Sequence, residues 1–392
     1  MEDKILLKDI HQQNLNFLIG SGASSGLFPT LWLPLKDIED INKNETIETL
    51  ATKLENEGKQ SHLALLFMYY FQEIIKPVVE FKLEDIDLKH ECFLGDSHCD
   101  QCKHLTTINN YDKFIESIIL LLIEKNNFTR RCNLFTTNYD GCIPFTADKL
   151  LESGKYDFAI NDGARGFLKR TMSAKNFNSY ICQTGVFGKN SSDIPQINLI
   201  NLHGSVYWKK LDESIQVDYK PFFSSEIIPF EAAESLATLT SILQDETKNT
   251  DDVTSLKIEL EQAIIDQFWL EYKKLPIVNP TKWKFHETVF EEHYYQMLRL
   301  LSYELEQPNS VLITFAFSFA DEHIQKLVER SLSNPRLQVY ICCFNNAEYQ
   351  SMRDKFGRFK NVAFIESKEG NLDFSTFNEK VFNADFLRDI EE

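Results

Sequence analysis

The chain has 392 residues, 43% hydrophobic and 26% charged, an ordinary globular composition that excludes disorder. A formal charge of −18 excludes a protein that coats nucleic acid by itself, because phosphate contacts need clustered Lys and Arg. Eight cysteines spread over this length do not form a secreted disulfide framework, so a cytoplasmic chain with reduced thiols is expected.

In chain order, Met1–Ile10 carries Glu2, Asp3, Lys4, Lys8 and Asp9 and has no apolar signal core. Leu15–Ile19 reads as a strand running into the small-residue turn Gly20-Ser21-Gly22-Ala23-Ser24-Ser25-Gly26. Residues 41–127 read mostly helical, for example over Thr46–Gly58 and His62–Ile75. The most apolar run, Ile118–Ile123, is too short to span a bilayer, and no membrane partner is expected. Cys132–Thr137 reads as a strand entering Asn138-Tyr139-Asp140-Gly141, and Ile197–Leu202 as one entering His203-Gly204-Ser205. Residues 209–284 form a second long stretch read as helical, with an acidic break at Gln244–Thr254. Val311–Ala316 leads to Phe317-Ser318-Phe319 and a helix over Asp321–Leu332. Leu337–Phe344 leads to Asn345-Asn346 and a helix over Ala347–Phe359, and Val362–Ile365 is the last strand.

Short apolar strands alternating with helices predict an α/β fold, a doubly wound, Rossmann-like, mainly parallel sheet. The sheet domain is drawn from residues 1–40, 128–208 and 285–392, and the insertions 41–127 and 209–284 form a smaller helical subdomain over it. Ligands of such sheets sit beyond the strand C-termini. Every polar cluster named above falls there.

Small residues at 20–26 let backbone N–H groups approach a pyrophosphate, helped by a following helix N-terminus; a glycine-rich tight turn reads the same way. His203 at a strand end is either a hydrogen-bonded structural imidazole or a general base. Asn138 and Asp140 make a turn or orient a polar ligand. Cys92, Cys99 and Cys102, with His104 close by, have the donors for a tetrahedral structural zinc, but the missing second Cys pair favours free thiols in an exposed loop. Thirty-one Phe residues predict thick aromatic packing, and Cys342-Cys343 falls inside a strand as core.

Taken together, Gly20-Ser21-Gly22-Ala23-Ser24, Thr137-Asn138-Tyr139-Asp140, His203-Gly204, Ala316-Phe317-Ser318 and Asn345 stand in an order that resembles the sirtuin family, from about residue 15 to 370. The resemblance implies NAD as substrate and cleavage of its nicotinamide–ribose bond without a metal. Gly20, Ser21, Gly22 and Ala23 would hold the pyrophosphate. Asn138 would hold the nicotinamide ribose or a water at its anomeric carbon, and Asp140 would meet the nicotinamide carboxamide. His203 would be the general base. Phe317 and Ser318 would line phosphate and ribose, and Asn345 would reach the adenosine ribose.

Departures from the deacylase pattern narrow the expectation. Gly26-Leu27-Phe28-Pro29-Thr30-Leu31 lacks the Asp and Arg of a deacylase, and no cysteine lies between Gly204 and Ser310 to bind its zinc. The pattern resembles bacterial sirtuin-like NAD-hydrolases of anti-phage defence, also through Asn279-Pro280-Thr281 and Phe317-Ser318-Phe319-Ala320-Asp321. In that family the position of Ala316 is usually Gly. The resemblance further implies depletion of NAD in abortive infection, self-assembly into a homo-oligomer and pairing with a HerA-type hexameric ATPase. The alternatives are an NAD-dependent protein deacylase or ADP-ribosyltransferase, and a non-catalytic NAD or ADP-ribose sensor.

Overall fold

Apolar runs with almost no charge become strands buried on both faces, as parallel strands covered by helices must be. The protein, a computed structural model, describes residues 5, 7–37, 44–86, 99–125, 130–184, 191–212, 214–220, 226–279 and 288–384. Seven strands form the central sheet: β1 (Asn14–Ile19), β2 (Arg131–Thr136), β3 (Ala159–Asn161), β4 (Gln196–Asn201), β5 (Ser310–Phe315), β6 (Gln338–Cys342) and β7 (Val362–Ile365). Their order is β7-β6-β5-β1-β2-β4-β3, and every pairing is parallel. The expected α/β, Rossmann-like class is what the chain adopts. β4 and β5 are buried at every position, β1 at all but Asn14.

Alternate side chains of each strand enter separate cores, as the pleat requires. Leu15, Phe17 and Ile19 join one core with Leu50, Phe67, Leu239 and Phe268, so this core runs from the sheet into helices of both long stretches. Leu18, Ile200 and Leu312 face the other, with Met297, Ile324 and Met352. The expected aromatic packing is present: Phe17, Phe114, Phe315, Phe374, Phe377 and Phe382 form one ring cluster with centroids from 4.4 Å apart upward.

Polar residues also cross the sheet. Asn16, Asn133, Asn198 and Asn161 stand side by side on β1, β2, β4 and β3. Each amide donates to the next oxygen: Asn161 to Asn198 at 3.1 Å, Asn198 to Asn133 at 2.8 Å, Asn133 to Asn16 at 2.9 Å, and Asn16 to Ser310 Oγ on β5 at 2.9 Å.

Two elements differ from expectation. β3 is a three-residue edge strand with no pattern long enough to read. The stretch expected to be helical from residue 209 opens instead as a hairpin, Trp208–Leu211 against Ser214–Val217. With Ala164–Arg165 and Thr171–Met172 it makes a separate four-stranded antiparallel sheet. Ile215 and Val217 are buried while Ser214 and Gln216 are half-buried, a two-residue period over only four residues. Helices do follow, at Ala233–Leu243 and Gln262–Tyr272.

Candidate active site

β1 has β5 on one side and β2 on the other, so the chain's winding direction reverses there. Ile19 pairs with both Thr136 and Phe315, and Thr136 pairs with Asn201, so four strands end at one level. Their following loops converge on a cleft of about 160 Å³. This is the switch-point crevice where open α/β sheets take ligands. Ser21, Ser24, Thr137, Asn138, Asp140 and His203 line it together with Phe317, Ser318 and Asp321; Phe28, Leu31, Ile74 and Val78 form an apolar side.

The turn after β1 is a four-residue 3-10 turn, Ser21–Ser24, and no long helix starts there. The expected dipole contribution to phosphate binding therefore shrinks to one turn. Ser21 and Ser24 reach the cleft; Gly20, Gly22 and Ala23 are not among its lining. Gly20 has a packing reason of its own, since an added Cβ would lie 2.2 Å from the Ala316 carbonyl oxygen.

Ser24 organises the next loop. Its single proton goes to Asp140 Oδ2 at 2.8 Å, so Tyr111 OH, 2.7 Å away, donates to it. Asn138 Nδ2 also donates to Ser24 Oγ, at 3.2 Å. These bonds hold Asn138, which is 5% exposed, with its Oδ1 buried and unpartnered. Asp140 Oδ1 takes the Cys142 N–H at 3.0 Å. Burial pushes the Asp140 carboxyl up from its ordinary value, against the lowering effect of its donors.

His203 follows β4, and the backbone there is tightly specified. Its carbonyl accepts Val278 N–H at 2.8 Å. Gly204 has φ +83, and a Cβ on it would lie 2.0 Å from the Pro276 carbonyl oxygen. The imidazole Nε2 is 3.0 Å from Asp321 Oδ2. Asp321 Oδ1 accepts the His323 and Ile324 N–H groups at 2.9 and 3.1 Å, capping the helix Glu322–Ser331. Phe317 and Ser318 lie between two left-handed residues, Ala316 (φ 53) and Phe319 (φ 52). Such conformations cost non-glycine residues about 1 kcal/mol or more.

Asn345 is not brought to the cleft. It is exposed beyond β6 and caps the helix Asn346–Phe356 through Glu348 N–H at 3.0 Å. Cys92 lies outside the described residues; Cys99 Sγ takes the Cys102 N–H at 3.3 Å at a helix start. Among the described residues no group of three or more His, Cys, Asp or Glu is arranged to hold a metal. No helix there is long and apolar enough to cross a membrane.

In the sequence Asp321 and Ser24 stand inside motifs, with no role of their own to be read there. For Asp321 the usable signal was an Asp immediately before a helical pattern, an N-cap position. Glu48 and Tyr139 also line the cleft without having been singled out. Among the described lining residues there are three carboxylates, Glu48, Asp140 and Asp321, and no Lys or Arg. Such a cleft favours developing positive charge and offers a pyrophosphate hydroxyls, side-chain amides, an imidazole and backbone N–H groups in place of a Lys or Arg. No protein-family model matches this chain, and a comparison with curated proteins finds no relative.

Proposed function

We propose that the chain is an NAD glycohydrolase, cleaving NAD to nicotinamide and ADP-ribose. The observation that carries the reading is the meeting, in one switch-point cleft, of His203 with Asn138, Asp140 and Asp321. Asn138, held by its bond to Ser24, offers this cleft a fixed amide beside the imidazole. An amide and an imidazole side by side suit a ribose hydroxyl or an attacking water. The size of the cleft matches one end of a dinucleotide, since pockets for whole drug-sized ligands run from about 300 Å³ upward.

The chemistry suits the electrostatics. The pyridinium nitrogen is already cationic, so nicotinamide leaves as a neutral molecule and needs no general acid. Positive charge moves onto the ribose, where Asp140 and Glu48 stabilise it. A water then bonds to the anomeric carbon and gives up a proton to His203. The sirtuin-like motif order supports the same reading. It also supports a role in anti-phage NAD depletion, with self-assembly and a HerA-type hexameric ATPase as partner.

The test is purified chain incubated with NAD, alone and with a HerA-type ATPase, with products separated by liquid chromatography. Nicotinamide and ADP-ribose should accumulate, and His203→Ala and Asn138→Ala should each slow release by roughly 10²–10⁴-fold. Binding of NAD without release in either condition would replace this reading with a sensor.

A further inference from the structure

We infer that Asp321 is a positioning residue that holds the proton of His203 on Nε2 and leaves Nδ1 as the atom that accepts a proton in the cleft. The kinetic part of this inference rests on the hydrolase reading; the proton assignment does not.

The geometry starts at the end of β5. The strained segment from Ala316 to Phe319 turns the chain so that Asp321 stands both at the start of a helix and beside β4's loop. Its two oxygens have separate tasks. Oδ1 accepts two backbone N–H groups, from His323 at 2.9 Å and Ile324 at 3.1 Å. Oδ2 lies 3.0 Å from His203 Nε2. Two donated N–H groups and the positive end of a ten-residue helix favour the ionised carboxylate. An ionised carboxylate only accepts, so the imidazole nitrogen facing it must carry the hydrogen.

This holds in both charge states of the ring. As imidazolium, His203 carries protons on both nitrogens; as neutral imidazole it keeps the one shared with Asp321. The proton that comes and goes is therefore on Nδ1. In the hydrolytic step, the bond from ribose to nicotinamide breaks with its electron pair going to the ring nitrogen. The water oxygen bonds to the anomeric carbon, and the water's proton passes to Nδ1 and then to solvent. Asp321 touches none of the reacting atoms.

Asp321→Asn separates this role from helix capping. Asn caps as well as Asp does, so its Oδ1 keeps the two N–H groups. Its Nδ2 then faces His203 Nε2 as a donor, forcing the ring proton to Nδ1. The experiment is long-range ¹H–¹⁵N correlation on chain labelled at its nine histidines, with His203→Ala assigning the resonance, run above the ring's titration. Wild type should show a protonated Nε2 and a bare Nδ1, and Asp321→Asn should show the reverse. Nicotinamide release by Asp321→Asn should fall roughly 10²–10⁴-fold with its thermal midpoint close to wild type. Asp321→Ala, which also removes the cap, should lower both. A wild-type ring protonated on Nδ1 overturns the inference without any activity measurement, as does Asp321→Asn with wild-type turnover and an unreversed tautomer. A chain with the expected tautomer that releases no nicotinamide would remove the hydrolase reading and leave the proton assignment standing.

Discussion

Around the cleft, single residues are held in backbone positions that few side chains tolerate. Gly204 combines φ +83 with the Pro276 carbonyl oxygen 2.0 Å from where a Cβ would be, so neither strain nor clash has an easy relief. Gly204→Ala is expected to lower stability by about 2–3 kcal/mol in urea unfolding, and to slow nicotinamide release by shifting the neighbouring His203. Ala316 is the counterpart case. It sits at φ 53 with a methyl that a glycine would lack, against Gly20 and Gly22 whose missing side chains make room for it. The strain at 316 and 319 brackets the residues that line the cleft, a place where strain is commonly retained.

At the scale of elements, the asparagine ladder joins five strands through side chains as well as backbone. Asn198 is 4% exposed and central, receiving from Asn161 and Gln196 and donating to Asn133. Asn198→Leu removes the acceptor of two amides and the donor to a third. The expected cost is about 2–3 kcal/mol, because leaving buried polar groups unpaired loses more than the bonds themselves. On β1, β2 and β4 the ladder lies three residues back from the strand ends that reach the cleft, so nicotinamide release per folded molecule should stay at the wild-type level. Equal losses of stability and of specific activity would show the ladder to be coupled to the cleft.

For the whole molecule, the continuity of one core decides how the chain unfolds. Phe67 packs against Trp269 and Tyr272 with ring centroids 5.0 and 5.3 Å apart; Phe67 and Tyr272 belong to the same apolar cluster as Phe17 and Ile313 of the sheet, and the partly buried Trp269 packs against it. A helical layer sharing its core with the sheet has little reason to melt alone. Denaturant transitions followed by tryptophan fluorescence, with Trp269→Phe identifying that probe, and by far-ultraviolet dichroism should therefore coincide. An earlier fluorescence transition would show a separately unfolding helical layer. The same layer sends Glu48, Ile74 and Val78 to the cleft, so its loss would open one side of the site.

Six of the seven strands of the central sheet, the class of sheet and the polar clusters at strand ends are legible in the chain's own pattern. Those follow from local pattern: Val362–Ile365 lies in the structure where its apolar run predicts, and β1, β2, β4 and β5 fall within a residue of theirs. Local pattern failed where it was short, at Ala159–Asn161 and in the Trp208–Val217 hairpin, or where small residues suggested a helix start and formed one 3-10 turn. The partnerships between loops are settled by packing. Asp321 meets His203 across 118 positions, Ser24 meets Asp140 across 116, and Asn345, with the same strand-end signature, is left outside. The reason is physical. Periodicity and turn chemistry depend on covalent neighbours, whereas which loops converge depends on the order of strands in the sheet. That order is set by the burial of whole faces, and no single segment carries it.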